Sequence, residues 1–179
     1  MQLRTKMEKL LSNILPYSHT VSLHLKMLNE DSFAPKGGEG VDYICSGLLQ
    51  LPHGFGLLVD ETTLETGELK DQGCKNLMQL QSVMNEQVIT YKVNYCSPTF
   101  ETDILFLVLS EGKSMLKTQC ILPYTPASQS SSFASVEETD LNNIRAYVQG
   151  CRAMSYDVGE DMAKVRLFFS WRAPGNQQC

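Results

Sequence analysis

A chain of 179 residues and 20.1 kDa has room for one domain or a large piece of one, and not for two. Its 42% hydrophobic content can fill a core, and a fold of this length buries roughly 70% of the surface its unfolded chain exposes, which excludes a disordered tail protein. Fifteen basic residues against twenty acidic ones give a net charge of −5. That balance lacks the phosphate-neutralising surface behind most nucleic-acid binding, so no direct sequence-specific contact with DNA or RNA is expected.

The six cysteines, at 45, 74, 96, 120, 151 and 179, stand 22 to 31 residues apart. None forms the paired spacing of a zinc site, and each sits singly in or beside apolar residues, as in Ile44-Cys45 and Cys120-Ile121. Six reduced thiols in an intracellular protein are expected, with no metal and no cofactor. The longest apolar run, Ile104 to Leu109, is far short of the ~18 residues a membrane span needs, so a soluble protein without membrane partners is expected.

In chain order, Leu3, Met7, Leu10, Leu11, Ile14 and Leu15 recur at helical spacing, with Arg4, Lys6, Glu8 and Lys9 on the other side and Pro16 as the stop. Thr20 to Leu28 alternates Val21, Leu23, Leu25 and Met27 against Ser22, His24 and Lys26, which predicts a half-buried strand. His19, His24 and His53 lack a matching carboxylate or thiol cluster, so no catalytic histidine is assigned. Asn29 to Gly40 is rich in turn formers and predicts a loop. It is no phosphate loop, because Lys36 precedes the glycines and no Ser or Thr follows.

Gly47 to Leu51 and Gly56 to Val59 are short apolar runs on either side of Pro52-His53-Gly54, and the second ends at Asp60-Glu61. A buried strand closed by two acids is the most chemically suggestive spot in the chain. In P-loop hydrolases such a carboxylate holds the magnesium site at the sheet edge, and a following Glu polarises the attacking water. The Lys-bearing phosphate loop that this chemistry needs is missing. Ser110-Glu111-Gly112-Lys113-Ser114 ends like one, but the first required glycine would fall on Leu107.

Lys75 to Asn85 predicts a helix entered from the Gly73 turn, and Val88 to Tyr95 a strand closed by Cys96-Ser97-Pro98. The unbroken apolar run Ile104 to Leu109 predicts a strand in the middle of a sheet, covered on both faces. Pro123 to Ser135 is a Ser/Pro-rich connection. Ser135 with Glu138 reads as a capping box opening a helix of about four turns, whose stripe is Leu141, Ile144, Val148 and Cys151. Asp157 to Val165 begins another helical pattern, which Leu167 to Cys179 abandons. The fold class is α/β, a sheet with flanking helices.

Several of these segments together resemble the MCM-binding (mini-chromosome maintenance complex-binding) protein family, its plant branch most. They are Phe33-Ala34-Pro35-Lys36, Ser46 to Pro52 (SGLLQLP), Leu58 to Thr62 (LVDET), Leu64 to Leu69 (LETGEL) and Ser110 to Ser114 (SEGKS), in the family's order and near its separations. The chain departs from the pattern at Phe55-Gly56, at Lys92 to Phe100 and after about Ala163. The resemblance implies an incomplete AAA+-like, P-loop-type domain over 1–162 without an intact nucleotide loop, followed by a divergent tail over 163–179. It implies a nuclear, non-enzymatic partner of MCM helicase subunits, acting in DNA replication, helicase remodelling or unloading, and sister-chromatid cohesion. Asp60 and Glu61 then stand as relics of a magnesium position, capping the Thr62 turn; no partner-binding residue is assigned. Two alternatives are an ATPase-like enzyme using Asp60 and Glu61 with a phosphate loop from outside the chain, and an inactive truncated product.

Overall fold

The computed structural model describes residues 2–37, 43–93, 96–125 and 137–154. The chain divides into two compact units, Met1–Glu137 and Glu138–Cys179. The first contains α1 (Gln2–Ile14), β1 (Ser18–Ser22), α2 (Leu25–Glu30), β2 (Lys36–Gly37), β3 (Ile44–Cys45), β4 (Phe55–Asp60), α3 (Asp71–Glu86), β5 (Val88–Thr90), β6 (Thr99–Glu101) and β7 (Ile104–Leu109). The second contains α4 (Glu138–Ala153), in which no described residue is buried.

Mixed α/β architecture is what the sequence predicts, and its centre is a parallel three-stranded sheet in the order β1-β4-β7. Register runs from Ser18 beside Gly56 to Ser22 beside Asp60, and from Phe55 beside Ile104 to Asp60 beside Leu109. Because successive side chains alternate across a strand, β4 serves two layers. Leu57 and Val59 join Val21, Leu28, Phe33, Leu80, Val83 and Ile104 in the main core, beneath α2 and α3. Gly56, Leu58 and Asp60 face the other way, toward α1; a Cβ on Gly56 would strike the Leu15 side chain. Two antiparallel pairs, β2 with β3 and β5 with β6, lie outside this sheet.

Several sequence expectations need correction. The stretch expected as one strand to Leu28 is β1 followed by a short helix, because the ladder ends where the Leu23 amide donates to the Asp60 carbonyl at 2.9 Å. Leu25 and Met27 fit an alternating spacing, but Leu25 and Leu28, three apart, fit a helical one. Helix α3 starts at Asp71, so Gly73 lies within its first turn, where a Cβ would crowd Asn29 and Leu69. The strand expected over Val88 to Tyr95 pairs regularly only to Thr90, after which the Lys92 amide turns away to the Pro35 carbonyl at 3.0 Å. Strand β7 is an edge rather than the middle of the sheet among the described residues, and its Leu105 is 52% exposed. The central place belongs to β4.

The expectations at Gly40 to Asp42, Asn94 and Tyr95, most of the Ser/Pro-rich connection, the Ser135 capping box, the helical pattern from Asp157 and the boundary near 162 lie outside the described residues.

One polar side chain ties the helical layer together. Asn76 is fully buried in α3, on the same helical stripe as Leu80 and Val83. Its Nδ2 donates to the Leu28 and Asp31 carbonyls, both at 2.8 Å, and its Oδ1 accepts the Phe33 amide at 3.2 Å and Gln72 Nε2 at 3.1 Å. The amide thus satisfies the carboxyl-terminal end of α2 and the chain leaving it, where backbone groups have no helical partner. Asn76→Ala strands the buried Phe33 amide and Leu28 carbonyl and the part-buried Asp31 carbonyl, and should lower unfolding free energy by about 3 kcal/mol; chemical denaturation followed by circular dichroism measures it, and a loss below about 1 kcal/mol would contradict the assignment.

Gly47 makes a second close approach. A Cβ there would press on the backbone of Phe33 and Ala34, where the Leu49 amide donates to the Phe33 carbonyl at 2.8 Å. Gly47→Ala should therefore cost about 1–3 kcal/mol by overpacking, read as a lower thermal midpoint with α-helical content retained below it.

Candidate functional site

The carboxyl-terminal end of β4 brings Asp60 and Glu61 to the edge of the sheet where parallel strands present their ends. Both are buried, Asp60 at 1% and Glu61 at 8% exposure. Asp60 is fully engaged. Its Oδ1 accepts the Thr62 amide at 3.0 Å and the Thr62 hydroxyl at 2.6 Å, while Oδ2 accepts Arg4 Nη1 at 3.4 Å. The Thr62 bonds close an Asx turn at the strand end, and the Arg4 contact links it to α1. Arg4 also donates from Nε to Glu8 one helical turn along, at 3.2 Å. The sequence places Arg4 on the polar side of an amphipathic helix; only the tertiary fold reveals that it reaches a buried acid 56 residues away.

Glu61 differs from its neighbour. Its backbone is fixed, with the amide donating to the Leu109 carbonyl at 2.8 Å and the carbonyl accepting the Leu64 amide at 3.0 Å. Its Oε1 is buried without a hydrogen-bond partner among the described residues. Thr63 completes the turn by donating its hydroxyl to the Leu23 carbonyl at 3.1 Å. The pair therefore combines one satisfied carboxyl that holds structure and one buried oxygen that does not.

The segment Ser110 to Ser114 leaves the same edge from β7. Gly112 takes a left-handed φ of 86°, and Ser114 Oγ accepts the Leu116 amide at 3.0 Å. Glu111, Gly112 and Lys113 are exposed, a turn rather than a loop wrapped around an anion. His19, His24 and His53 lie exposed and apart in the fold. Among the described residues no three His, Cys, Asp or Glu side chains gather as a metal site, and no helix is long and apolar enough to cross a membrane. Cys45, Cys74, Cys96, Cys120 and Cys151 are all free and exposed, so their apolar sequence neighbours do not bury them.

The other segments singled out in the sequence are built into the core. Phe33, Ala34 and Pro35 are buried, and Leu49 of SGLLQLP packs on them without any exposure. Leu64 and Leu69 of LETGEL rest on the same cluster. Asn29 fixes the chain between them and α3 by donating to the Glu68 carbonyl at 3.1 Å and accepting the Lys70 amide at 2.9 Å.

Neighbouring substitutions at the two acids should act in opposite directions. Asp60→Ala leaves the Thr62 amide unpaired and should cost about 1–3 kcal/mol, with Asp60→Asn costing less because it keeps an acceptor; the half-exposed Arg4 contact adds little. Glu61→Met removes an unpartnered buried oxygen and should raise stability by about 1 kcal/mol. Parallel denaturant titrations of the three variants decide it, and a Glu61→Met protein less stable than its parent contradicts this account.

The family model for the mini-chromosome maintenance replisome factor matches residues 1–166. The chain is similar to proteins named mini-chromosome maintenance complex-binding protein: 30% identical over 162 residues to that of Arabidopsis thaliana, 30% over 170 to that of Drosophila melanogaster, and 27% over 165 to that of Homo sapiens. These alignments cover 90%, 90% and 88% of this chain, but 27%, 28% and 26% of the respective relatives, so the chain spans about a quarter of their length. With a match running through nearly all the described fold, this chain belongs to the mini-chromosome maintenance replisome factor family.

Proposed function

We propose that this chain is a partner of MCM helicase subunits in DNA replication and contributes binding surface rather than catalysis. The observation that carries the reading is the family match over residues 1–166, together with relatives whose names state MCM complex binding. In the same reading the protein is nuclear, and its engagement of the helicase serves remodelling or unloading and, through them, sister-chromatid cohesion.

The non-enzymatic part of the proposal draws support from Asp60. Its Oδ1 closes the Thr62 turn and its Oδ2 faces the Arg4 guanidinium at 3.4 Å, a cation standing beside the oxygen that a magnesium ion would use. The core is proposed to be a degenerate AAA+-like sheet over 1–162, followed by a divergent segment over 163–179. The parallel order β1-β4-β7, with an acidic pair closing the middle strand, supports that fold assignment.

The direct test immobilises the purified 179-residue chain and presents purified MCM subunits one at a time, with binding read by biolayer interferometry. Saturable binding of at least one subunit, with no ATP turnover added to that of the subunit alone, is the expected result. A cooperatively folded chain that binds no subunit would overturn the reading, and turnover abolished by Asp60→Asn would replace it with the ATPase alternative.

A further inference from the structure

Among the described residues, Glu61 is the one acid that the fold buries and leaves unpaired. It is 8% exposed, its Oε1 has no hydrogen-bond partner, and no ion pair reaches its carboxyl. Extending the two strand registers by one residue sets it between Leu23 on the β1 side, which is 1% exposed, and the half-buried Ser110 on the β7 side. Alternation along the strand turns its side chain away from α1, to the face that carries Leu57 and Val59. The Arg4 guanidinium stands beside Asp60 on the other face and does not serve it. Lys113, exposed on the turn that follows β7, makes no ion pair with it either.

A carboxylate placed under the surface without a counter-charge costs stability. A residue whose removal should stabilise the fold marks a place that serves something other than stability. Two occupants could answer it, a divalent cation or a cationic side chain. Magnesium demands a near-octahedral shell of oxygens. Here Asp60 faces the other layer, and no three His, Cys, Asp or Glu side chains gather among the described residues. A lysine or arginine needs only the one carboxylate, with which it forms a charge-assisted hydrogen bond. The net charge of −5 favours the approach of such a group.

We propose that Glu61 receives a lysine or arginine side chain from a protein partner at the carboxyl-terminal edge of the sheet. The buried acid is a recognition residue, unpaired in the free chain and paired in the complex. Taking MCM subunits as that partner rests on the functional reading above.

Biolayer interferometry of the immobilised 179-residue chain with purified MCM subunits tests this, with thermal unfolding followed for every variant. Glu61→Gln keeps the shape and removes the charge, and should weaken binding of the recognised subunit by about thirtyfold or more. Glu61→Met should weaken it as much while raising the thermal midpoint, an opposition that loss of folding cannot produce. Glu111→Gln neutralises an exposed acid on the turn leaving the same edge, and should change affinity by less than about fivefold. A parent that binds while Glu61→Gln binds equally well overturns this proposal and leaves the functional reading standing. Binding that requires added magnesium assigns the site to a metal and overturns it too. A folded parent that binds no subunit overturns the functional reading, and this proposal with it.

Discussion

Strand β4 must bury its residues on two faces at once while bonding to a strand on either side, and the arrangement of the amino-terminal unit follows from that demand. Leu57 and Val59 need a cover on one face, which α2 and α3 provide, and Leu58 needs one on the other, toward which α1 packs. Gly56 lets Leu15 come close enough to close the second layer. A parallel strand cannot follow its neighbour by a tight turn, so each return path carries a helix or a long connection. Phe33 to Lys36, Ser46 to Pro52 and Leu64 to Leu69 lie in those connections, while Leu58 to Thr62 closes β4 and Ser110 to Ser114 follows β7.

The polar groups that this packing buries are answered by a few side chains acting at element ends. Asn76 takes up the backbone groups that α2 and the following chain would leave unpaired. Gln87, at the left-handed end of α3 with φ 54°, binds both outward groups of Ile104, while its own carbonyl accepts the Thr102 amide at 2.7 Å. Asp60 does the same service at the strand end and adds Arg4 from α1. Each joins elements far apart in sequence, so these interactions help make the sheet and its helices one cooperative unit.

Local pattern made α1, β4, β7 and most of α3 legible in the sequence, because hydrophobic periodicity survives wherever one element has one buried face. It misled over Thr20 to Leu28, where Leu23, Leu25 and Met27 alternate as in a strand while Leu25 and Leu28 also fit a helix, and only the end of pairing at Leu23 decides between them. It misplaced β7, since an apolar run specifies burial but not which strand stands beside it. Asn76 left a usable signal, a polar residue four and seven positions before Leu80 and Val83 on an apolar helical stripe. Arg4 and Gln87 left none, because their partners are set by tertiary geometry. Asp60 and Glu61 were visible as acids closing a buried strand, but the difference between them, one bonded and one not, exists only in the fold.

That difference bears on what the chain does. A sheet edge with acids at the end of its middle strand has the outline of a nucleotide site, yet Asp60 spends its oxygens on the turn and on α1. Its chemistry is that of a structural junction between the strand end and α1. The most direct check is a titration of the isotopically labelled chain with magnesium ATP, following the backbone amides of Glu61 and Thr62 by nuclear magnetic resonance. The account predicts no saturable shift at either amide, because the Thr62 hydrogen bond to Asp60 stays closed. A saturable shift at both that disappears in Asp60→Asn would contradict it.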